Sequence, residues 1–299
     1  MATRFIIAGS NGQLGRALGR ALTGSPERQI VAAADLPELD IAEPDSVSSF
    51  LRDAGPAEFV VNAAAFTHVD RCETERDAAR RANALGPEVL ARACAEAGIA
   101  LAHVSTDYVF SGHGDTPYSE DDVPAPASAY GETKREGEER VLASPGRTLV
   151  VRTSWVFGEG RNFIGAMLDQ GRARRDGSVT GAMAVVDDQR GRPTYAEDLA
   201  GALVALLEGG GAGVYHVANA GVATWWDLAR FSLDRAGYAD LPIDRLRSDQ
   251  LKQAAIRPQW SVLDCSKAED FGVKLRSWQD AVSAYLDSDF SPLAGPGKQ

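Results

Sequence analysis

Five short apolar runs, at residues 5–8, 30–34, 59–63, 100–105 and 148–152, punctuate the first half of the chain. Each is short, rich in β-branched or small apolar residues and bounded by polar or glycine-bearing segments, so each reads as a buried strand. The stretches between them, 16–23, 45–54, 70–97 and 129–142, repeat apolar residues at helical spacing and read as helices. Strand and helix in strict alternation indicate βαβ units and a parallel sheet. Asn83 and Gly86 interrupt the long third helix, which implies a bend or a polar task for its backbone. Beyond Thr153 the alternation weakens: 179–186 and 214–218 read as strands, and 194–207, 224–236 and 277–286 as helices. Residues 111–128, rich in Gly, Pro, Ser and Asp, read as a loop able to cover a ligand, and 288–299 as a polar, frayed tail.

The first strand runs directly into Gly9-Ser10-Asn11-Gly12-Gln13-Leu14-Gly15 and then into an alanine-rich helix. Glycines at 9, 12 and 15 allow a tight turn, backbone approach to a pyrophosphate and close helix packing, with the phosphates at a positively polarised helix N-terminus. The second strand ends at Asp35, twenty residues beyond Gly15, where a carboxylate would accept from the adenosine ribose hydroxyls and repel a 2′-phosphate. No arginine stands in the glycine loop to bind that phosphate, so NADH is favoured and NADPH remains possible. These features predict an α/β protein with a doubly wound parallel sheet of the Rossmann type. Residues 1–152 would form the nucleotide-binding domain, completed by returns from about 185–220, and 153–299 mainly a smaller C-terminal α/β lobe for substrate.

Tyr130 and Lys134, four apart in the helix at 129–142, share one helical face. An ammonium beside a phenol favours the phenolate and would draw the tyrosine pKa down from ~10, making Tyr130 a usable proton donor or acceptor. Ser105-Thr106-Asp107-Tyr108 lies at the end of the fourth strand, so the Tyr130 and Thr106 hydroxyls would converge as donors above the strand ends, as a ketone becoming an alkoxide requires.

Composition bounds the rest. The chain has 299 residues, 44% hydrophobic and 24% charged, enough for a large core and typical of water-exposed globular proteins. A net charge of −11 argues against a nucleic-acid partner. Arg172, Arg174 and Arg175 form the one basic cluster, read as a solvated loop or a diphosphate contact. Cys72, Cys94 and Cys265 are odd in number and widely spaced, suggesting neither a disulfide framework nor a zinc site, and His113 and His216 lack metal-ligand spacing, so no metal is assigned. No apolar run reaches membrane-spanning length, and Met1-Ala2-Thr3-Arg4 leaves no room for a signal peptide before the first strand, so a cytoplasmic location with no membrane partner is expected.

The glycine loop, the Tyr-x-x-x-Lys pair and the upstream Ser/Thr resemble the extended short-chain dehydrogenase/reductases. More narrowly, Gly9-x-x-Gly12-Gln13-Leu14-Gly15, Asn62-Ala63-Ala64-Ala65-Phe66-Thr67-x-Val69-Asp70, Ser105 to Phe110, Arg152-Thr153-Ser154-Trp155, Asn162-Phe163, Asp188-Gln189-x-Gly191-x-Pro193-Thr194 and Arg257-Pro258 resemble, in order along the chain, the dTDP-4-dehydrorhamnose reductases. The resemblance implies reduction of the C4 ketone of dTDP-4-dehydro-β-L-rhamnose. Tyr130 would protonate the alkoxide, Lys134 would hold the nicotinamide ribose and tune Tyr130, Thr106 would bond the reacting oxygen, and Asn83 would anchor a water that relays protons to the lysine. Gly9, Asn11, Gly12, Gln13, Leu14, Gly15, Asp35, Asp40, Ile41, Ala63, Ala64, Ala65 and Thr67 would surround the cofactor. Thr106, Asp107, Val69, Trp155, Asn162 and Arg192 would meet the dTDP-linked 4-keto-6-deoxy sugar, and a homodimer is possible.

Plainer roles stand beside these: a strand-end bond for Thr106, a turn cap for Asp107, core packing for Trp155, a helix bend for Asn83, and an interlobe network for Asp188, Gln189 and Arg192. The family usually carries a small residue at 68 and an acidic one at 111, where this chain has His68 and Ser111. His68 is read as a solvated rim residue that, if it reached the nicotinamide site, would alter the sugar accepted. Two other functions remain open: reduction of a different dTDP-4-keto-6-deoxy sugar, and a non-catalytic nucleotide-binding regulatory subunit. A 4,6-dehydratase would need Asp-Glu after Thr106, where this chain has Asp107-Tyr108.

Overall fold

The computed structural model describes residues 2–293. Strands β1 (Thr3–Ala8), β2 (Arg28–Ala34), β3 (Phe59–Asn62), β4 (Ala100–Thr106) and β5 (Thr148–Thr153) join the later strand Gly213–His216 in one six-stranded sheet. The spatial order is β2-β1-β3-β4-β5-(Gly213–His216), and every neighbour pair is parallel. Successive side chains along each strand go to opposite faces. Phe5, Ile7, Val61, Ala102 and Val151 therefore pack beneath α1 (Gln13–Thr23) and the helix Ala196–Glu208. Ile6, Ala8, Val60, Leu101 and Val150 pack beneath α2 (Pro44–Ala54) and residues of two later helices. The result is a three-layer, doubly wound α/β fold whose strand order reverses between β1 and β3, the position where such sheets open a ligand crevice at their carboxyl ends.

The long helix expected over 70–97 is broken. It comprises α3 (Val69–Thr74), α4 (Arg76–Arg80), a π-helical turn (Arg81–Leu85) and α5 (Gly86–Glu96). Pro87 supplies the reason: it has no N–H for the Asn83 carbonyl four residues earlier, and its ring crowds that oxygen. The fully buried Asn83 side chain is engaged elsewhere, accepting from Phe66 N at 2.8 Å and donating to Phe66 O at 3.1 Å and Thr133 Oγ1 at 3.2 Å. The freed carbonyl faces α6 (Ala129–Leu142) where only glycine fits, because a Cβ at position 137 would stand 2.1 Å from Asn83 O.

The second core belongs to a lobe built from the helices Phe163–Arg175, Trp225–Arg235 and Trp278–Leu286, packed around Phe157, Leu168, Leu228 and Tyr285. Only the end of the run expected at 179–186 is strand: Met183–Val186 pairs in parallel with Ile243–Leu246. The helix Phe163–Arg175 replaces the loop expected around the basic cluster. Asn162 caps it, accepting from Gly165 N at 3.0 Å. Arg172 bonds Asp169 and Pro292 O, Arg174 bonds Gln170 and Gly181 O, and Arg175 bonds Asp240 while lying over Tyr238, so the cluster is consumed within the lobe.

The first part of the loop at 111–128 is anchored to its surroundings. Tyr118 stacks on Phe110 at 4.3 Å between centroids and bonds Ser111 and His113 O, and Trp260 Nε1 donates to Thr116 O at 2.7 Å. The tail expected to fray at 288–299 lies partly outside the described residues. Within the described part Ser291 is buried and Phe290 lies beneath the Arg20 guanidinium, while Asp289 and Leu293 are exposed.

Candidate active site

A cleft of about 640 Å³ runs along the carboxyl ends of β1 to β5 and between the two lobes. At one end Gly9, Gly12, Gln13 and Leu14 face Asp35, Asp40, Ile41 and Ala63 to Ala65. Gly9 has φ +82°, and a Cβ there would stand 2.5 Å from Ala64 N, so the glycine brings the loop against the end of β3. Gly15 lies behind the loop and Asn11 is exposed; neither lines the cleft. Asn11 instead donates its backbone N–H to Asp35 at 3.3 Å, and Leu36 N donates to the same carboxylate at 2.9 Å. Arg81 also borders this end, paired with Asp40 at 2.9 Å and with Glu43. Burial would raise the Asp40 carboxyl, but Arg81 and the Ala42 N–H outweigh it and hold it low. The donors, glycines and apolar strip fit a dinucleotide with its adenosine near Asp35 and Asp40.

At the other end Ser128 caps α6, its hydroxyl accepting from Gly131 N at 3.2 Å, and Tyr130 stands in the first turn with Lys134 one turn later. Both side chains line the cleft with Thr106, Asp107, Tyr108 and Val69. Lys134 is buried and donates to Val104 O at 2.7 Å, with His103 Nε2 at 3.4 Å. Its pKa falls to about 8, because burial disfavours the ammonium more than Glu138 supports it. The expectation that this ammonium lowers the Tyr130 pKa is not met. Burial pushes the phenol upward, the Asp107 charge adds to that, and the Thr106 hydroxyl pulls the other way. Tyr130 is therefore held in its acid form.

Asp107 is buried, and burial raises its pKa to about 6 against the pull of the Ser261 and Thr106 hydroxyls. Thr106 Oγ1 donates to its Oδ1 at 3.0 Å, whereas Oδ2 has no partner. Among the described residues, five buried side-chain polar atoms lack hydrogen-bond partners. Four of them, Gln13 Oε1, Ser105 Oγ, Asp107 Oδ2 and Thr153 Oγ1, belong to residues that line this cleft. Unsatisfied buried groups are rare in folded proteins, and their concentration here marks where a polar ligand would complete them. Trp155 and Trp225 close the cleft as a stacked pair, 3.7 Å between centroids and 7° between planes.

Besides Asn11 and Gly15, three residues expected at the site are absent from the cleft lining. Asn83 serves the Phe66 backbone, Asn162 caps its helix and donates to Gly158 O and Tyr285 Oη, and Arg192 donates to Asn219 O and Leu263 O. None lines the cleft. His68 is exposed at the start of α3, edge-on to Phe66 and also outside the lining. Trp225, Ser105, Thr153 and Arg81 line it unannounced. For Ser105 and Thr153 the signal was present, since each is a polar residue at the carboxyl end of a strand beside the switch point. For Trp225 the sequence offered only Trp225-Trp226, with nothing to tell which ring faces inward.

A glycine-turned loop at the switch point, with tyrosine and lysine one helical turn apart at the carboxyl edge, defines a nicotinamide-dependent oxidoreductase of the short-chain dehydrogenase type. The chain belongs to the dTDP-4-dehydrorhamnose reductase family, and the family model described as the RmlD substrate binding domain matches residues 3–290. It is 40% identical over 295 residues to the dTDP-4-dehydrorhamnose reductase of Mycolicibacterium smegmatis, covering 96% of this chain and 87% of that one. It is 41% identical over 288 residues to a probable dTDP-4,6-dihydroxy-2-methyloxan-3-one 4-ketoreductase of Streptomyces antibioticus, covering 93% of each. The crystal structure of the Bacillus anthracis dTDP-4-dehydrorhamnose reductase in complex with NADP superimposes with a TM-score of 0.87 at 33% identity, covering 96% of this chain and 99% of that one. No helix among the described residues is long and apolar enough to cross a membrane.

Proposed function

We propose that the protein reduces the C4 ketone of dTDP-4-dehydro-β-L-rhamnose to the alcohol of dTDP-L-rhamnose, using NADH in preference to NADPH. The observation that carries this reading is the meeting of the Tyr130 acid, the Thr106 hydroxyl and the unpartnered Asp107 Oδ2 at one end of a dinucleotide-shaped cleft. The reduced nicotinamide would supply hydride to C4. Tyr130, protonated by virtue of its burial, gives its proton to the forming alkoxide, and the Thr106 hydroxyl, on turning from Asp107 Oδ1 to that oxygen, adds a second donor. Asp107 accepts from a sugar hydroxyl through Oδ2, Val69 borders the sugar, and Trp155 with Trp225 forms an aromatic face for sugar or base. Lys134 would hold the nicotinamide ribose. Asn83 contributes by fixing Phe66 and by turning its carbonyl toward α6.

Asp35 supports the NADH preference. The cations lining the cleft are Arg81 and Lys134, and Arg81 is already matched by two carboxylates, so nothing free awaits a 2′-phosphate. Asp35→Ala should raise kcat/KM with NADPH relative to NADH on the order of tenfold, about 1.4 kcal/mol of relieved repulsion.

Incubation with reduced cofactor and the dTDP-4-keto-L-sugar, with the product identified by NMR, tests the activity. Tyr130→Phe should lower turnover by about 10²- to 10⁴-fold while cofactor still binds. Absence of cofactor oxidation by the native protein would refute the reading. The Streptomyces antibioticus relative favours a second reading, reduction of a different dTDP-linked keto sugar, which the same product spectrum distinguishes.

A further inference from the structure

His103 lies fully buried in β4 behind the tyrosine and lysine, with no role in the reaction as described. Its surroundings determine its tautomer. The Asn62 side chain accepts from Ala64 N through Oδ1 at 3.1 Å, which fixes the amide and leaves Nδ2 facing His103 Nδ1, also at 3.1 Å. An amide N–H can only donate, so Nδ1 must accept, and a neutral ring then carries its hydrogen on Nε2. The ring is neutral because burial, reinforced by the Lys134 charge, holds its pKa well below the usual histidine range. Nε2 stands 3.4 Å from Lys134 Nζ. An ammonium there would set N–H against N–H, whereas a neutral amine offers its lone pair.

We propose that His103 is a positioning residue for Lys134: held as the Nε2–H tautomer by Asn62, it favours the neutral amine and sets the pH above which the reductase loses its lysine charge. The inference rests on the reductase reading. Lys134 also donates to Val104 O of β4, which both forms of the amine satisfy. The other charged group acting on it is Glu138 of its own helix, and Glu138 is itself held by Arg152 of β5 at 2.8 Å, which limits its support for the ammonium. A lysine titrating near 8 is a better proton donor to a spent Tyr130 phenolate than an ordinary ammonium, and it becomes uncharged within the working range. His216 provides a contrast within the same chain. Its Nδ1 donates to Tyr118 O at 3.0 Å and its Nε2 accepts from Arg152 at 3.3 Å, the opposite tautomer.

Nitrogen-15 NMR of the imidazoles in the intact protein should find His103 protonated on Nε2 and His216 on Nδ1, and the Lys134 ε-carbon shift should titrate near 8. In His103→Gln a carbonyl oxygen can accept from Nζ, so the alkaline limb of kcat/KM should move up by about one pH unit with the acid limb unmoved. A His103 ring protonated on Nδ1, or a His103→Gln enzyme uniformly slower with its alkaline limb unmoved, would overturn the proposal. If the native protein oxidises no cofactor, the reductase reading fails separately, and the ring tautomer and lysine titration still decide this one.

Discussion

Trp155 holds φ at +49°, a left-handed backbone that a bulky side chain adopts at a cost of roughly 1–3 kcal/mol. Its stack on Trp225 fixes the ring, so the strain sits at the wall of the cleft. Asp107 shows a different use of burial. With a pKa of about 6 it is an acceptor above that pH and protonated below it, so KM for the sugar should rise as pH falls through 6. Asp107→Asn should flatten that rise, as steady-state kinetics from pH 5 to 8 would reveal. At this scale the sequence was informative wherever the chain itself gathers the groups: Thr106 with Asp107, and Tyr130 with Lys134. That Asn83, Asn162 and Arg192 lie outside the cleft lining was not legible, because a side chain's chemistry does not say which atoms elsewhere in the fold claim it. Phe66, Tyr285 and Asn219 made those claims from 17, 123 and 27 residues away.

Among elements, the strands were legible because their alternation of faces is intrinsic to the pleat, and all five early runs became β1 to β5. The broken helix was legible only in part: Gly86 and Asn83 drew attention, yet Pro87 is the residue that opens the π turn. The helix Phe163–Arg175 escaped because Gly165 and Gly171 dilute its pattern and its arginines read as loop. The Asn83 carbonyl against Gly137 makes a clear test. Gly137→Ala places a methyl 2.1 Å from that oxygen and should cost about 1–3 kcal/mol by denaturant midpoint, since backbone on both sides resists movement. Nearby, Arg152 and Glu138 form a buried bidentate pair joining β5 to α6 at 2.9 and 2.8 Å. Arg152→Leu alone should cost about 3–5 kcal/mol by stranding a buried charge, and the double change with Glu138→Leu should recover part of that loss.

Across the whole molecule, residues 254–257 of the later half reach back to α3. Asp70 accepts from Ala254 N, Ala255 N and the Arg257 guanidinium, the last at 2.7 Å. The guanidinium holds the Asp70 carboxyl down at about 2, below its ordinary 3.8. Its stabilisation is therefore complete above pH 3.8 and fades as pH falls through 2. The carboxylate is half exposed, so screening keeps the effect below about 1 kcal/mol. Asp70→Asn should cost up to about 1 kcal/mol at pH 7, and its urea stability curve should converge with that of the native protein as pH falls from 4 to 2. This tie was invisible in sequence, because Asp70 and Arg257 stand far apart in the chain and only the assembled lobes bring them together.

The sixth strand carries a consequence for synthesis. Gly213–His216 pairs with β5, and Ala196–Glu208 helps to roof one face of the sheet, yet both leave the ribosome only after the first helix of the second lobe, Phe163–Arg175. Until then a nascent chain of the first half bears an uncapped edge and a face around Phe5, Ile7, Val61 and Val151 that α1 alone covers. The six-stranded sheet thus stays incomplete until residue 216 has been made, and a truncation at residue 152 should be captured by chaperones or aggregate rather than persist as a free domain.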